Sequence, residues 1–356
     1  MATLGEVMKY GVSVDWLRGL SAAMVLLLPV VAAAESYGDR PEIKTFIDDM
    51  VVRHQFDRQQ LQQQFDQVQK KQRIIDAMSR PAEKTKNWGE YQDIFIKPQR
   101  IRKGVKFWQE NSEALAAAEK QFGVPAEMIV AIIGVETNYG GNKGSWRVMD
   151  ALATLAFDYP DQDNKKYVER RKTFFTKELE HFLLLAREQQ RDPLTLKGSY
   201  AGAMGYGQFM PSSYRRYATD FDGDGFTDIW ENKRDAIGSV ANYFLEHGWR
   251  AGEPVTSRNR VAKGYDKSVL NLSRSKRKAA GLTVADLAEK GYTPVQQVES
   301  TLLAGAIKLQ GKKGAEFWMG FNNFYVITRY NTSIKYAMAV HQLSQQIAAA
   351  KAAAEV

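Results

Sequence analysis

Residues 123–137 read G-V-P-A-E-M-I-V-A-I-I-G-V-E-T. From Val124 to Thr137 this spacing predicts a strongly apolar helix. Pro125 suits its first turn, and Asn138, Gly140 and Gly141 supply the stop. Ile129, Ile132, Ile133 and Glu136 fall at i, i+3, i+4 and i+7, so a carboxylate stands on the apolar stripe near the C-terminal end. Burial and the helix dipole both disfavour an anion there, which predicts a raised carboxyl pKa suited to a general acid near neutral pH. Position alone fits a buried Glu paired with a basic residue equally well.

No second carboxylate is evident for a two-carboxylate scheme. Glu127 lies nine residues earlier, which at about 100° per residue puts it on the opposite helix face. Asp158, Asp161 and Asp163 are candidates only by being in a loop. Downstream, residues 202–211 read G-A-M-G-Y-G-Q-F-M-P. The glycines let backbone approach a ligand, Gln208 can donate and accept, and Tyr206 and Phe209 offer flat faces. A tight structural turn explains this stretch as well.

Residues 220–231, D-F-D-G-D-G-F-T-D-I-W-E, match the EF-hand loop at every specified position. Asp220, Asp222 and Asp224 stand at positions 1, 3 and 5, with Gly225 at the turn. The Phe226 carbonyl, Asp228 and Glu231 complete an oxygen shell for Ca²⁺. Five carboxylates in twelve residues repel without a cation, so a structural Ca²⁺ is expected.

Elsewhere, residues 43–78 read as helix, with Phe46, Ile47, Met50, Leu61, Phe65 and Val68 on its apolar face, and Arg80-Pro81 as its end. Residues 82–104 read as loop. Helices are expected over Lys106 to Phe122, Met149 to Ala156, Arg171 to Gln190, Ala236 to His247, Leu302 to Leu309 and Ile334 to Ala349. Residues 197–212 should be irregular, and 250–300 a broken, partly β region.

The 356 residues are 44% hydrophobic and 25% charged, an ordinary globular balance. A net charge of +8 favours an anionic partner, but no nucleic-acid motif is present. The run Arg274, Lys276, Arg277, Lys278 reads as a solvated loop. Lys9 and Arg18 precede an apolar stretch from Leu20 to Val31 and then Ala32-Ala33-Ala34, the pattern of a secretory signal peptide. With no cysteine in the chain, neither a disulfide nor a lipid-bearing cysteine is available. The expectation is an exported, soluble periplasmic protein without a membrane anchor after signal cleavage.

From about Trp88 to Ala348 the chain resembles the lytic murein transglycosylase B family, glycoside hydrolase family 103. The resemblance is carried by Ile132-Ile133-Gly134-Val135-Glu136-Thr137, by Asp150-Ala151-Leu152-Ala153-Thr154-Leu155, by Lys197 to Tyr214, by Asp235 to Phe244 and by Thr328-Arg329-Tyr330-Asn331. It implies a mainly α (α+β) fold: a lysozyme-like core with an N-terminal helical lobe, a small β-containing lobe and the EF-hand-like calcium loop in the core. The implied boundaries are a signal peptide at 1–34, a helical lobe at 35–122, the core at 123–250, the β-containing lobe at 251–321 and a C-terminal segment at 322–356 that returns to the core. Glu136 matches the family's catalytic acid/base. Ser199, Gln208, Tyr243, Tyr330, Asn331 and Tyr91 match substrate-binding positions, and Arg170 and Arg171 match a basic pair beside the groove.

The implied reaction cuts the β-1,4 bond between N-acetylmuramic acid and N-acetylglucosamine in peptidoglycan glycan strands without water, leaving 1,6-anhydromuramic acid ends. Departures from the family pattern are an insertion-like stretch from Asp161 to Val168, Phe174 where Tyr can stand, a fuller acidic loop, and no lipid-bearing cysteine. Two other classes fit the same residues: a muramidase-type hydrolase, and a non-enzymatic calcium-dependent wall-binding protein.

Overall fold

Gln55 adopts a left-handed backbone (φ 56°) and makes the first of two breaks in the first expected helix. In the computed structural model, which describes residues 36–79, 86–271 and 281–354, the stretch 43–78 forms three helices: α1 (Pro41–His54), α2 (Arg58–Asp66) and α3 (Gln72–Ser79). Asp57 restarts the chain by accepting the Gln60 N–H at 2.6 Å. All six apolar positions expected on the buried face are buried. The signal-like segment, Arg80-Pro81 and the basic run 274–278 lie outside the described residues.

The loop expected over 82–104 is instead largely helical: α4 (Trp88–Phe95) and most of α5 (Pro98–Glu110). Asn87 and Glu90 form a reciprocal capping box that starts α4, and Pro98 sits in the first turn of α5. Helix α6 (Ser112–Phe122) leads through Gly123 (φ 68°) into α7 (Ala126–Thr137). Pro125 proves to be the N-cap of α7, with extended backbone, rather than a helical residue. Next come the short strand β1 (Trp146–Arg147), α8 (Val148–Phe157) and α9 (Lys165–Glu188). Helix α9 begins six residues before the expected Arg171 because the Asn164 side chain caps it, accepting the Tyr167 N–H at 2.9 Å.

Strand β2 (Lys197–Gly198), α10 (Pro211–Tyr217) and α11 (Lys233–Glu246) complete the central region. A four-stranded antiparallel sheet follows, in the order β4-β3-β6-β5, from β3 (Thr256–Val261), β4 (Tyr292–Pro294), β5 (Gly305–Gly311) and β6 (Gly314–Gly320). Helix α12 (Val284–Glu289) lies in this region, and α13 (Asn322–Tyr330) and α14 (Ile334–Ala354) end the fold. The helix expected over Leu302 to Leu309 is strand β5. Lys308 and Gln310 are exposed between buried Ile307, Leu309 and Gly311, which is a period of two, and the register pairs Ile307 with Trp318 and Gly311 with Gly314. An apolar run this short carries no decisive period by itself.

Residues Ser36–Val356 form one contact unit, with three apolar clusters among the described residues. The largest surrounds α7, whose Ile129, Ile132 and Ile133 are fully buried among residues of α4 to α6, α11, α13 and α14. A second joins α1 to α3 with α8 and α9, and the third fills the sheet region. The first lobe expected from sequence therefore divides its packing, 37–74 against α8 and α9 and 88–122 against α7. Truncating a fully buried Ile or Leu of this kind to Ala costs about 2–5 kcal/mol, so α7 is a rigid base for what it carries. Among the described residues no helix is long and apolar enough to cross a membrane.

Candidate active site

Glu136 occupies the last turn of α7 and is partly exposed, while its neighbours Val135 and Thr137 are buried. Asn138 ends the helix in a left-handed conformation (φ 52°), its N–H returning to the Gly134 carbonyl at 3.1 Å and the Tyr139 N–H to that of Ile133 at 3.3 Å. The Thr137 hydroxyl lies 3.1 Å from the Tyr206 carbonyl and accepts the Gly140 N–H at 3.0 Å. One side chain thus pins the glycine-rich loop to the end of the helix. Gly140 (φ 85°) has no room for a Cβ because the Tyr206 ring fills that space.

The glycine-rich loop is irregular, as expected, after β2 pairs with β1. Ser199 Oγ accepts the N–H groups of Ala201 (3.3 Å) and Ala203 (3.0 Å), and Met204 and Phe209 exchange two backbone hydrogen bonds. Gln208 has φ 51°, and its amide donates to the carbonyls of Gly205 (2.9 Å) and Lys143 (3.2 Å). A Cβ on Gly207 would stand 3.0 Å from Tyr330 Oη, so the loop backbone lies directly on that phenol.

Tyrosines converge on Glu136. Tyr336 Oη donates a very short hydrogen bond to Glu136 Oε1. Tyr330 and Tyr336 are both held well above the ordinary phenol pKa, first by burial and then by the Glu136 charge, so they remain protonated donors. Tyr330 Oη is buried with no hydrogen-bond partner among the described residues. Its ring is 4.6 Å from that of Tyr243, whose hydroxyl donates to the Arg329 carbonyl at 2.8 Å. Phe209 closes the group, 5.5 Å from Tyr243 and 5.9 Å from Tyr330. Tyr91 is buried, lies under the Lys335 ammonium at 5.4 Å, and stands close enough to Tyr336 to bear on its ionisation. Asn331 Oδ1 accepts the Ser333 N–H at 3.0 Å, shaping the turn that delivers Tyr336.

The structure thus gathers Glu136, Gln208, Tyr243, Tyr330, Asn331 and Tyr91 into one region, with Ser199 bracing the loop. No described interaction ties Arg170 or Arg171 to that cluster. Arg170 is exposed, and the Arg171 guanidinium stacks on Phe175 (4.7 Å) and Phe174 (4.9 Å). The loop carboxylates have other work. Asp158 is held by Arg40 (2.7 Å), Lys70 (3.1 Å) and Tyr37 (2.8 Å), and Asp161 pairs with Lys165.

In the acidic loop, Asp220 accepts the N–H groups of Gly223, Asp224 and Gly225, which helps hold its carboxyl below the usual range. Asp228 is salt-bridged to Arg191 (2.8 Å) and Glu231 to Lys143 (2.9 Å), so cations of the chain already answer part of the expected repulsion. Oxygens of Asp220, Asp222 and the fully buried Asp235 lie within 4.8 Å of one another. Burial raises the Asp235 carboxyl, and Asp222 and Asp220 add to that rise. Asp235 lies beyond the twelve-residue pattern, so motif spacing did not point to it.

The family described as Transglycosylase SLT domain matches residues 38–345. The chain belongs to this family. It is 43% identical over 349 residues to the membrane-bound lytic murein transglycosylase B of Escherichia coli K12, covering 95% of this chain and 92% of that one. The crystal structure of soluble lytic transglycosylase SltB1 from Pseudomonas aeruginosa superposes with a TM-score of 0.80 at 50% identity, covering 88% of this chain and all of that one. The Escherichia coli lytic transglycosylase Slt35 in complex with calcium gives 0.76 at 44% identity, covering 88% and 95%. The chain is a lytic murein transglycosylase, an enzyme acting on peptidoglycan, with the mainly helical, lysozyme-like fold of these relatives. Tyr336 is a neighbour of Glu136 that sequence reasoning missed. It looks like one more apolar position in the first turn of α14, and only the fold brings it to Glu136.

Proposed function

We propose that Glu136 is the single acid/base of a non-hydrolytic cut. Protonated Glu136 gives its proton to the glycosidic oxygen as the C1–O bond breaks. The 2-acetamido carbonyl of the muramoyl residue stabilises the positive C1. Glu136, now a carboxylate, takes the proton of that sugar's C6 hydroxyl as its oxygen bonds to C1, closing the 1,6-anhydro ring. No water is consumed, and Glu136 ends as it began. The observation that carries this reading is a single carboxylate ringed by protonated tyrosines, with Tyr336 fixing its orientation. Gln208, Tyr243, Tyr330, Asn331, Tyr91 and Ser199 are the proposed positioners of the sugars. Arg170 and Arg171 are proposed for muramoyl or peptide carboxylates, a task that suits a guanidinium fork.

Digesting purified peptidoglycan in ¹⁸O-labelled water tests the reaction. Unlabelled anhydro products one water lighter than the hydrolytic ones are expected. Labelled reducing-end muramic acid as the main product would establish the muramidase reading instead.

The acidic loop is proposed to hold one structural Ca²⁺. The donor chemistry fits, since Asp220, Asp222, Asp224, Asp228, Glu231 and the Phe226 carbonyl offer only hard oxygen ligands. Binding would exchange the Arg191 and Lys143 contacts of Asp228 and Glu231 for the ion. The boundaries at 122, 250 and 321, cleavage near Ala34 and a periplasmic, soluble product are proposed with it. Fractionation with N-terminal sequencing tests the last of these, and a full-length chain in the membrane pellet would reject it.

A further inference from the structure

Lys143 lies in the short connection between α7 and β1. Its backbone carbonyl accepts the Gln208 amide at 3.2 Å, and its ammonium stands 4.9 Å from the centre of the Tyr206 ring. The same ammonium donates to the Trp230 carbonyl at 2.5 Å and to Glu231 Oε1 at 2.9 Å. One residue therefore touches two members of the glycine-rich loop and the last two positions of the acidic loop. Both N–H bonds of the Gln208 amide go to backbone carbonyls, those of Lys143 and Gly205, so the aim of that side chain follows the position of Lys143.

The backbone beside Lys143 is closely held. Gly144 has φ 88°, and a Cβ there would stand 2.1 Å from the Gly198 carbonyl, so the main chain lies directly on β2. The two loops are also joined by the Tyr206 N–H on the Ile229 carbonyl at 2.9 Å and the Trp230 indole N–H on the Lys197 carbonyl at 3.0 Å. These bonds use no side chain of the expected ion shell. The Lys143–Glu231 pair does. Glu231 stands at position twelve of the EF-hand pattern, where both carboxylate oxygens go to the ion. The Lys143 ammonium and Ca²⁺ thus compete for one carboxylate.

We propose that Lys143 is a positioning residue that couples the ion content of the acidic loop to the wall of the active site. With Glu231 taken up by the ion, the ammonium keeps the Trp230 carbonyl and turns to the face of Tyr206, which attracts a cation. The Gln208 amide, held on the Lys143 carbonyl, moves with it. The proposal rests on the calcium reading above and adds a path from the ion to the site. Linkage requires the converse: removing the competing ammonium tightens the ion.

The test compares the full chain with Lys143→Met, which keeps the stem over Tyr206 without the charge, and with Lys143→Arg, which keeps the charge. Calorimetric titration with calcium chloride should give Lys143→Met a Kd about threefold lower than the wild type, the scale of a half-exposed ion pair, and Lys143→Arg one close to the wild type. An unchanged or higher Kd in Lys143→Met overturns the proposal. In a second arm the side-chain amide NMR signal of Gln208 is followed through the same titration. It should move in the wild type and Lys143→Arg with the Kd read from the heat, and stay in place in Lys143→Met; equal movement in all three overturns the coupling. Glu231→Gln, at a side chain 77% exposed, cuts the same tether from its other end. Before calcium is added, its Gln208 signal should be displaced from the wild type in the same direction as that of Lys143→Met, and a wild-type position in both variants counts against the tether. A wild type that gives neither heat nor shift rejects the calcium reading and the coupling together, whereas heat with an unmoved Gln208 rejects the coupling alone.

Discussion

At Glu136 the amide of Gln keeps the shape of the side chain but cannot shuttle a proton. Glu136→Gln should therefore fold normally and lose at least about 10²-fold in rate on sacculi. Tyr336→Phe removes a hydrogen bond to a charged partner, worth about 1.5–3 kcal/mol. It should lower kcat roughly 10–100-fold and shift the alkaline limb of the pH–rate profile, set by the protonated Glu136, to higher pH, whereas a purely structural role would lower the melting temperature and leave that limb in place. His341 on α14 offers a test of stability rather than rate. Its ring is buried, its Nδ1 has no partner among the described residues, and burial lowers its pKa to about 4. Between the ordinary value of about 6.5 and about 4 the unfolded chain binds a proton that the folded chain refuses. Stability is therefore unaffected by this ring above pH 6.5 and falls as pH drops towards 4, by roughly 3 kcal/mol. Melting curves from pH 7 to 4.5 should slope less steeply for His341→Leu than for the wild type.

Among the elements, the acidic loop makes the sharpest prediction. Ligand-linked stabilisation reaches about 2.7 kcal/mol at a hundredfold excess of ligand over Kd, so calcium should raise the melting temperature by several degrees over chelator. Asp222→Asn should abolish most of that difference, and equal melting in calcium and chelator would reject the ion. The helices were legible where a long apolar period persists, as in α7, α8 and α11, and where a cap is written in the sequence. The misreadings came from features that local pattern carries weakly. A left-handed Gln55 makes the first of two breaks in one expected helix, and β5 shows its alternation only through Lys308 and Gln310. The Asn87–Glu90 capping box before α4 is a start signal legible in the sequence. In the site, Glu136 was legible because a carboxylate on an apolar stripe is anomalous. Tyr336 was not, because a buried tyrosine in an apolar helix is ordinary until a distant carboxylate is placed against it.

For the whole molecule, charge is unevenly spread. Residues 251–321 hold twelve Lys and Arg against six Asp and Glu, so this fifth of the chain carries +6 of the net +8. Attachment to anionic wall polymer should therefore depend on this region and weaken with salt. Retention on sacculi should drop as ionic strength rises from about 0.01 M to about 1 M, where screening shortens from about 30 Å to about 3 Å. Salt-independent retention would assign the attachment to apolar and sugar contacts alone. The separation of Glu136 from Tyr336 has a consequence in time. The two residues lie 200 positions apart, and Tyr330 and Asn331 are almost as remote from the acid they surround. At ~5–20 residues per second of synthesis, a growing chain holds its proposed acid for about 10–40 s before the ribosome makes the phenol that hydrogen-bonds it. On the proposed mechanism the enzyme is thus built with its safety on: a nascent or prematurely terminated chain possesses Glu136 but not the wall of the site, and its ability to cut should arrive with its last two helices.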